Sequence, residues 1–179
     1  MPEIRILRAE TSDANATQAL AAAVADVLGD GDLIVLTGDL GAGKTCFTQG
    51  LGRALSIDEA ITSPTFVLLA VYEGRLRLNH LDVYRLDDPT DVLDLDLPEL
   101  AERGVTVIEW GEKIAPALGA DRLTIELQYP ALADAAEGPT GAAAEGLHRR
   151  QLQLTLAGST WIERGDTVAT ALEPWLVPG

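Results

Sequence analysis

Residues 38–45 read Gly38-Asp39-Leu40-Gly41-Ala42-Gly43-Lys44-Thr45, which satisfies G-x-x-x-x-G-K-[ST], and no other stretch restricts the fold as tightly. The pattern is that of a phosphate-binding loop, which needs a strand before it and a helix after it. Both are written beside it. Leu33-Ile34-Val35-Leu36 is a short apolar run of buried-strand type, and Phe47, Leu51 and Leu55 recur at i, i+4 and i+8 on one helix face. Glycines let successive backbone N–H groups turn inward on an anion, and the following helix adds the positive end of its dipole. In such a loop Lys44 reaches the outer phosphates, and Thr45 offers its hydroxyl to Mg²⁺. Asp39, Leu40, Gly41, Ala42, Gly43 and Cys46 complete the expected nucleotide contacts. Only two of the 13 basic residues are lysines, Lys44 and Lys113, and one stands where the motif demands it.

The elements around this loop predict an α/β fold. Glu3 to Arg8 reads as an edge strand. Thr11 to Asp13 supplies N-caps for a helix carrying Leu20, Val24, Val27 and Leu28, stopped by Gly29 and Gly31. The P-loop helix ends near Leu55, and its Gly50 and Gly52 predict close packing on the sheet. Phe66 to Tyr72 and Arg75 to Asp82 read as strands joined by a two-residue turn, Glu73-Gly74. An antiparallel hairpin inserted there makes the sheet mixed. Asp87 to Glu102 is an acidic helical region interrupted by Pro89 and Pro98. Val105 to Ile108 is a buried strand, and Leu123 to Leu127 pairs with Leu152 to Leu156 as a late hairpin. The Ala/Gly-rich stretch from 130 to 146 reads as a mobile loop between them. Asp166 caps a last helix through Val168, Ala171 and Leu172. The expectation is a P-loop NTPase-like mixed β-sheet flanked by helices, with residues 1–179 forming one domain that carries a C-terminal strand-helix extension.

The net charge of −15 repels phosphate backbones over most of such a surface, so direct nucleic-acid binding is disfavoured. An acidic protein can still serve nucleic-acid chemistry through a basic partner. One cysteine, Cys46, excludes an internal disulfide and suits a reducing compartment. No apolar stretch reaches the roughly 18 residues of a membrane span, and residues 1–10 lack the apolar core of a signal peptide. The expected location is the cytoplasm, without membrane contact.

A P-loop enzyme needs a second acid for the metal and a group to position the attacking nucleophile. Glu109 follows the run Val105 to Ile108, at the carboxyl end of a buried strand, where open α/β sheets place their ligand chemistry. In His80-Leu81-Asp82-Val83-Tyr84-Arg85, alternation puts His80 and Asp82 on one face at a strand end. Asp82 is the candidate to orient or deprotonate water; His80 reads as hydrogen-bonded scaffolding, Tyr84 as packing and Arg85 as surface charge. Thr62, Ser63 and Thr65 form either a switch-like loop or an ordinary turn. Cys46 lies where a helix dipole lowers a thiol pKa, or it is a small packed residue. Trp110, beside Glu109, is placed to pack near a nucleotide. Trp161 and Trp175 read as core anchors, and the acidic run Asp87, Asp88, Asp91, Asp94, Asp96, Glu99 and Glu102 as a solvated or partner-docking face.

The loop Gly38 to Thr45, Ser63-Pro64-Thr65-Phe66, His80 to Arg85 and Ile108-Glu109-Trp110, in this order and spacing, resemble the TsaE (YjeE) family across roughly residues 5 to 128. The resemblance implies a small ATPase with a P-loop and a mixed sheet that joins TsaD and TsaB in making threonylcarbamoyladenosine in tRNA, its ATP hydrolysis resetting their assembly between turnovers. It implies that Lys44 binds phosphate, that Thr45 and Glu109 hold Mg²⁺, that Asp82 supports hydrolysis, that Ser63 to Phe66 sense nucleotide state, and that Trp110 lies near the nucleotide. tRNA would be reached only through the partners. Pro98, and the segment from 130 onward, depart from the family pattern without touching the four motifs. A small-molecule kinase is the competing enzyme class, but Arg149-Arg150 is the only adjacent arginine pair and makes no lid. Asp82 and Glu109 argue against a binding module without turnover, and the Asn-Lys-x-Asp pattern of guanine readers is absent.

Overall fold

The computed structural model describes residues 3–64, 68–86, 99–100, 102–130 and 148–178. Its centre is a seven-stranded sheet in the order β1-β7-β6-β2-β5-β4-β3, with β1 at Ile4–Thr11, β2 at Leu33–Thr37, β3 at Leu69–Tyr72, β4 at Leu78–Asp82, β5 at Val105–Glu109, β6 at Arg122–Gln128 and β7 at Arg150–Ala157. The four inner strands β6, β2, β5 and β4 run parallel, whereas β7, β1 and β3 join antiparallel at the flanks. The sheet is therefore mixed, as expected, and the β3–β4 hairpin supplies its far edge. Every residue of β4 and β5 is buried, so the polar positions Asn79, His80 and Asp82 that gave β4 its alternation lie inside the protein as well. β6 and β7 alternate, with Leu123, Ile125, Leu127, Leu152, Leu154 and Leu156 on the inner face.

Two helices, α1 at Ala14–Ala25 and α2 at Lys44–Ala54, cover that inner face. Asp13 caps α1, its Oδ1 accepting from Ala16 N at 2.8 Å. The helix stops four residues before Gly29, where arginines take over the carbonyls: Arg75 Nη2 donates to Ala25 O, the last of the helix, at 2.6 Å, and Arg164 Nη1 to Val27 O, just beyond its end, at 3.0 Å. Gly50 of α2 meets α1 rather than the sheet, since a Cβ there would lie 2.6 Å from Gln18 O and 2.8 Å from Ala21 Cβ. At Gly52 the neighbour is Ile61. Leu20, Val24, Phe47 and Leu51 fill the layer between helices and sheet. A 3₁₀ turn at Gly111–Ala117 covers β5 and β4 on the other face, where Leu81, Val83, Ile108 and Ile114 form a second, smaller core.

Two further expectations are corrected. Tyr72 pairs with Leu78, so Glu73 to Arg77 form a five-residue connection in place of a two-residue turn. The last helix, α4 at Gly165–Leu172, follows a short α3 at Ser159–Glu163, and its N-cap is Arg164. Asp166 sits in its first turn and pairs with Arg5 Nη1 at 2.7 Å. Trp161 is buried in the core, and Trp175 packs half-buried against it. Thr65 and Phe66, the acidic stretch 87–98 and the stretch 131–147 lie outside the described residues. No helix among the described residues is long and apolar enough to cross a membrane.

Candidate functional site

The chain leaves β2 at Thr37 and turns sharply at Gly38, whose φ of 125° and close approach to Leu127 O exclude a side chain. Gly43, in the left-handed region at φ 110°, is the N-cap of α2, so Lys44 and Thr45 occupy the first turn with its unpaired N–H groups around them. Lys44 is almost fully buried. Its Nζ donates to Gly38 O at 2.6 Å and Asp39 O at 2.8 Å and lies 3.5 Å from the centre of the Trp110 ring. Burial pushes its ammonium below the usual lysine range, against the smaller opposing pull of Glu109, Glu112, Asp82 and Asp39.

The parallel register brings the acids to this lysine. Leu36 of β2 pairs with Glu109 of β5, and Glu109 pairs with Asp82 of β4, so both carboxylates stand at strand carboxyl ends on the face that carries α2. Thr45 Oγ1 donates to Glu109 Oε2 at 3.0 Å, and His80 Nε2 lies 2.9 Å from Glu109 Oε1. Asp82 accepts from Ser63 Oγ through one oxygen and from Tyr84 N at 3.0 Å through the other. Trp110 adopts a left-handed backbone conformation at φ 63°, and Tyr84 rests against it with ring centres 4.8 Å apart. Lys113 donates to Tyr84 O and lies 5.0 Å from that ring.

A cleft of about 270 Å³ opens among these groups, lined by Leu40, Gly41, Gly43, Lys44, Thr45, Cys46, Ser63, Asp82, Tyr84, Glu109 and Trp110. Of the residues expected from sequence, Asp39 and Ala42 do not line it. Asp39 contributes its carbonyl to Lys44, and Ala42 is buried with its carbonyl held elsewhere. Of the two readings of Cys46, the structure favours the small packed residue: burial raises its pKa, outweighing the nearby Arg150 and Arg53, and Sγ contacts Ala14 O at 3.5 Å.

Two neighbours of the site escaped the sequence reading. Tyr84 forms part of the wall. Arg150, the first residue of β7, donates from Nε to Ala42 O at 2.8 Å and lies 4.2 Å from the centre of the Tyr129 ring. The C-terminal strand thus braces the P-loop, against the expectation that it stays clear of the four motifs. Counting back by twos from Leu152 would have put Arg150 on the helix-covered face.

The donor set suits a hard cation beside a nucleotide. A hydroxyl and a carboxylate oxygen 3.0 Å apart are the kind of ligands Mg²⁺ takes, with phosphate and water filling the rest. Among the described residues no group of three or more His, Cys, Asp or Glu side chains could hold a metal, so an ion here would depend on oxygens from a ligand as well.

Residues 11–135 match the family model of threonylcarbamoyl adenosine biosynthesis protein TsaE. The tRNA threonylcarbamoyladenosine biosynthesis protein TsaE of Treponema pallidum (strain Nichols) is 47% identical over 123 residues, which take in 68% of this chain and 91% of that one. The protein of the same name from Bacillus subtilis (strain 168) is 39% identical over 123 residues, 68% of this chain and 77% of that one. In three dimensions the chain is similar to the crystal structure of Bacillus subtilis YdiB, with a TM-score of 0.73 and 28% identity over 94% of this chain and 97% of that one. That likeness extends past residue 135 into the C-terminal strand and helices.

Proposed function

The chain belongs to the TsaE family of threonylcarbamoyl adenosine biosynthesis proteins, and from that premise we propose that it binds and hydrolyses ATP with Mg²⁺ in the modification of tRNA to threonylcarbamoyladenosine. It does so in the cytoplasm with TsaD and TsaB, its turnover resetting their assembly. The observation that carries the reading is the meeting in one cleft of Lys44 and Thr45 from the loop with Asp82 and Glu109 from neighbouring strand ends. Lys44 moves from the loop carbonyls to the phosphates, where a charge-assisted contact is stronger. Thr45 and Glu109 hold Mg²⁺, which neutralises charge on the phosphate oxygens. Asp82, fixed by Ser63 and the Tyr84 N–H, orients the attacking water or takes its proton. The acidic surface steers the protein toward basic partners, so tRNA is reached through them.

The deciding experiment is ATP hydrolysis by the purified protein, alone and with TsaD and TsaB from the same organism, alongside two variants. Slow turnover that rises with the partners is expected. Lys44→Ala should abolish tight nucleotide binding, whereas Asp82→Ala should leave binding nearly intact and slow turnover by about 10²–10⁴-fold. Wild-type ATP affinity in Lys44→Ala would sink the P-loop assignment. A small-molecule kinase would show itself by phosphate on an acceptor, but Lys44 is the only cation among the described residues lining the cleft.

A further inference from the structure

We propose that His80 is a positioning residue for the metal site: by donating from Nε2 to Glu109 Oε1, it fixes the carboxylate so that Oε2, beside the Thr45 hydroxyl, faces the ion. The proposal rests on the Mg²⁺–nucleotide reading above.

His80 is fully buried in β4, between strands β3 and β5 and two residues before Asp82. Its ring makes one hydrogen bond among the described residues, Nε2 to Glu109 Oε1 at 2.9 Å, while Nδ1 is buried with no hydrogen-bond partner among them. Packing does not account for such a ring. A buried polar atom without a partner is costly, and the flanking core positions Leu78 and Leu81 are met by leucine. The carboxylate does account for it. As the metal-holding carboxylate of this proposal Glu109 has acceptors only, Oε2 accepting from Thr45 Oγ1, so Nε2 carries the hydrogen toward Oε1.

The consequence is orientational. A glutamate at a strand end has three side-chain torsions, and one hydrogen bond from Thr45 leaves the carboxylate able to swing about that contact. The second bond, at the opposite oxygen, removes that freedom. Thr45 comes from α2 and His80 from β4, so the two ends of the carboxylate are anchored to different elements. Hydrogen-bond partners of this kind set ligand orientation in metal sites generally, and losing one lowers metal affinity by about 10–100-fold.

The test uses the full chain, ADP and Mn²⁺ as the paramagnetic probe, with His80→Leu and His80→Gln. Calorimetry in EDTA reads ADP binding without metal, and electron paramagnetic resonance reads Mn²⁺ bound in the presence of ADP. His80→Leu should bind ADP in EDTA like the wild type yet require about 10–100-fold more Mn²⁺. His80→Gln, which keeps an N–H donor, should recover most of that loss. Unaltered Mn²⁺ binding in His80→Leu overturns the proposal, as do equal losses in the two variants. Unfolding, or lost ADP binding in EDTA, for His80→Leu also overturns it, by making the ring a requirement of the fold. A wild type that binds no ADP would remove the nucleotide reading itself, whereas a normal wild type beside an unaltered leucine variant removes only the role of His80.

Discussion

Lys44 carries a cost that its position makes unavoidable. It is a cation taken almost wholly out of water, with two carbonyls and an aromatic ring around it, and burial depresses its pKa below the 10.5 of an exposed lysine. Between the depressed native value and 10.5, the unfolded chain binds more protons than the native one, so this group's contribution to stability rises with pH across that window. Below it Lys44 is charged in both states and the desolvation cost is present in full. The stability difference between the wild type and Lys44→Met should therefore be flat near neutral pH and shift toward the wild type as pH climbs to 10.5. Urea denaturation of both proteins across that range checks this, and a constant difference would mean that Lys44 titrates as it does in the unfolded chain. Lys44, Thr45, Asp82 and Glu109 were legible because motif spacing and strand ends are local signals. For Cys46 two readings stayed open because its place on the helix is visible in sequence while its burial is not. Arg150 was missed because its partner Ala42 lies 108 residues away.

At the scale of elements, the contact between α1 and α2 depends on Gly50. Alanine favours a helix interior over glycine by about 1 kcal/mol, so propensity alone predicts that Gly50→Ala stabilises the protein. The added Cβ would meet Gln18 O at 2.6 Å, a backbone atom of α1 that cannot step aside without moving the helix. Overpacking of this kind costs about 1–3 kcal/mol and should win. Chemical denaturation of Gly50→Ala is expected to show a net loss of stability, and a gain would mean that α1 shifts freely. The same competition between local and tertiary preference explains which elements could be read. β2 and β5 were legible as unbroken apolar runs, and β6 and β7 as alternating ones. The β3–β4 connection was not, because Gly74 signals a tight turn while its real neighbour is Leu55 O, 2.3 Å from where a Cβ would stand. Arg75 N also donates to Leu55 O, so the loop is shaped by docking on the end of α2. The early end of α1 has the same origin in Arg75 and Arg164, which no capping signal near Ala25 reveals.

For the whole molecule, the decisive fact is that the chain's last strand is an interior one. β7 lies between β1 and β6, pairing Arg5 with Leu156 on one side and Leu123 with Leu156 on the other. Removing residues 150–179 would strip β1 of the one strand that pairs with it among the described residues, and of the Ala9–Leu176 bridge, and would bare the edge of β6. It would also take Leu152, Leu154, Leu156, Trp161, Val168 and Leu172 out of the main core. A chain ending at residue 149 is therefore expected to lose cooperative thermal unfolding, read by circular dichroism, even though all four sequence motifs remain in it. The stretch 131–147 stands differently. Gln128 of β6 pairs with Gln151 of β7, so antiparallel neighbours about 5 Å apart stand a few residues from either end of it, and hairpin loops of two to five residues connect strands paired in this way. Replacing 131–147 with a short Gly-Ser bridge should keep both the cooperative transition and the Arg150 brace on the P-loop, and with it nucleotide binding. A truncated chain that melts cooperatively would show that β7 is an addition to a sheet already complete. A bridged chain that does not fold would show that 131–147 carries part of the core.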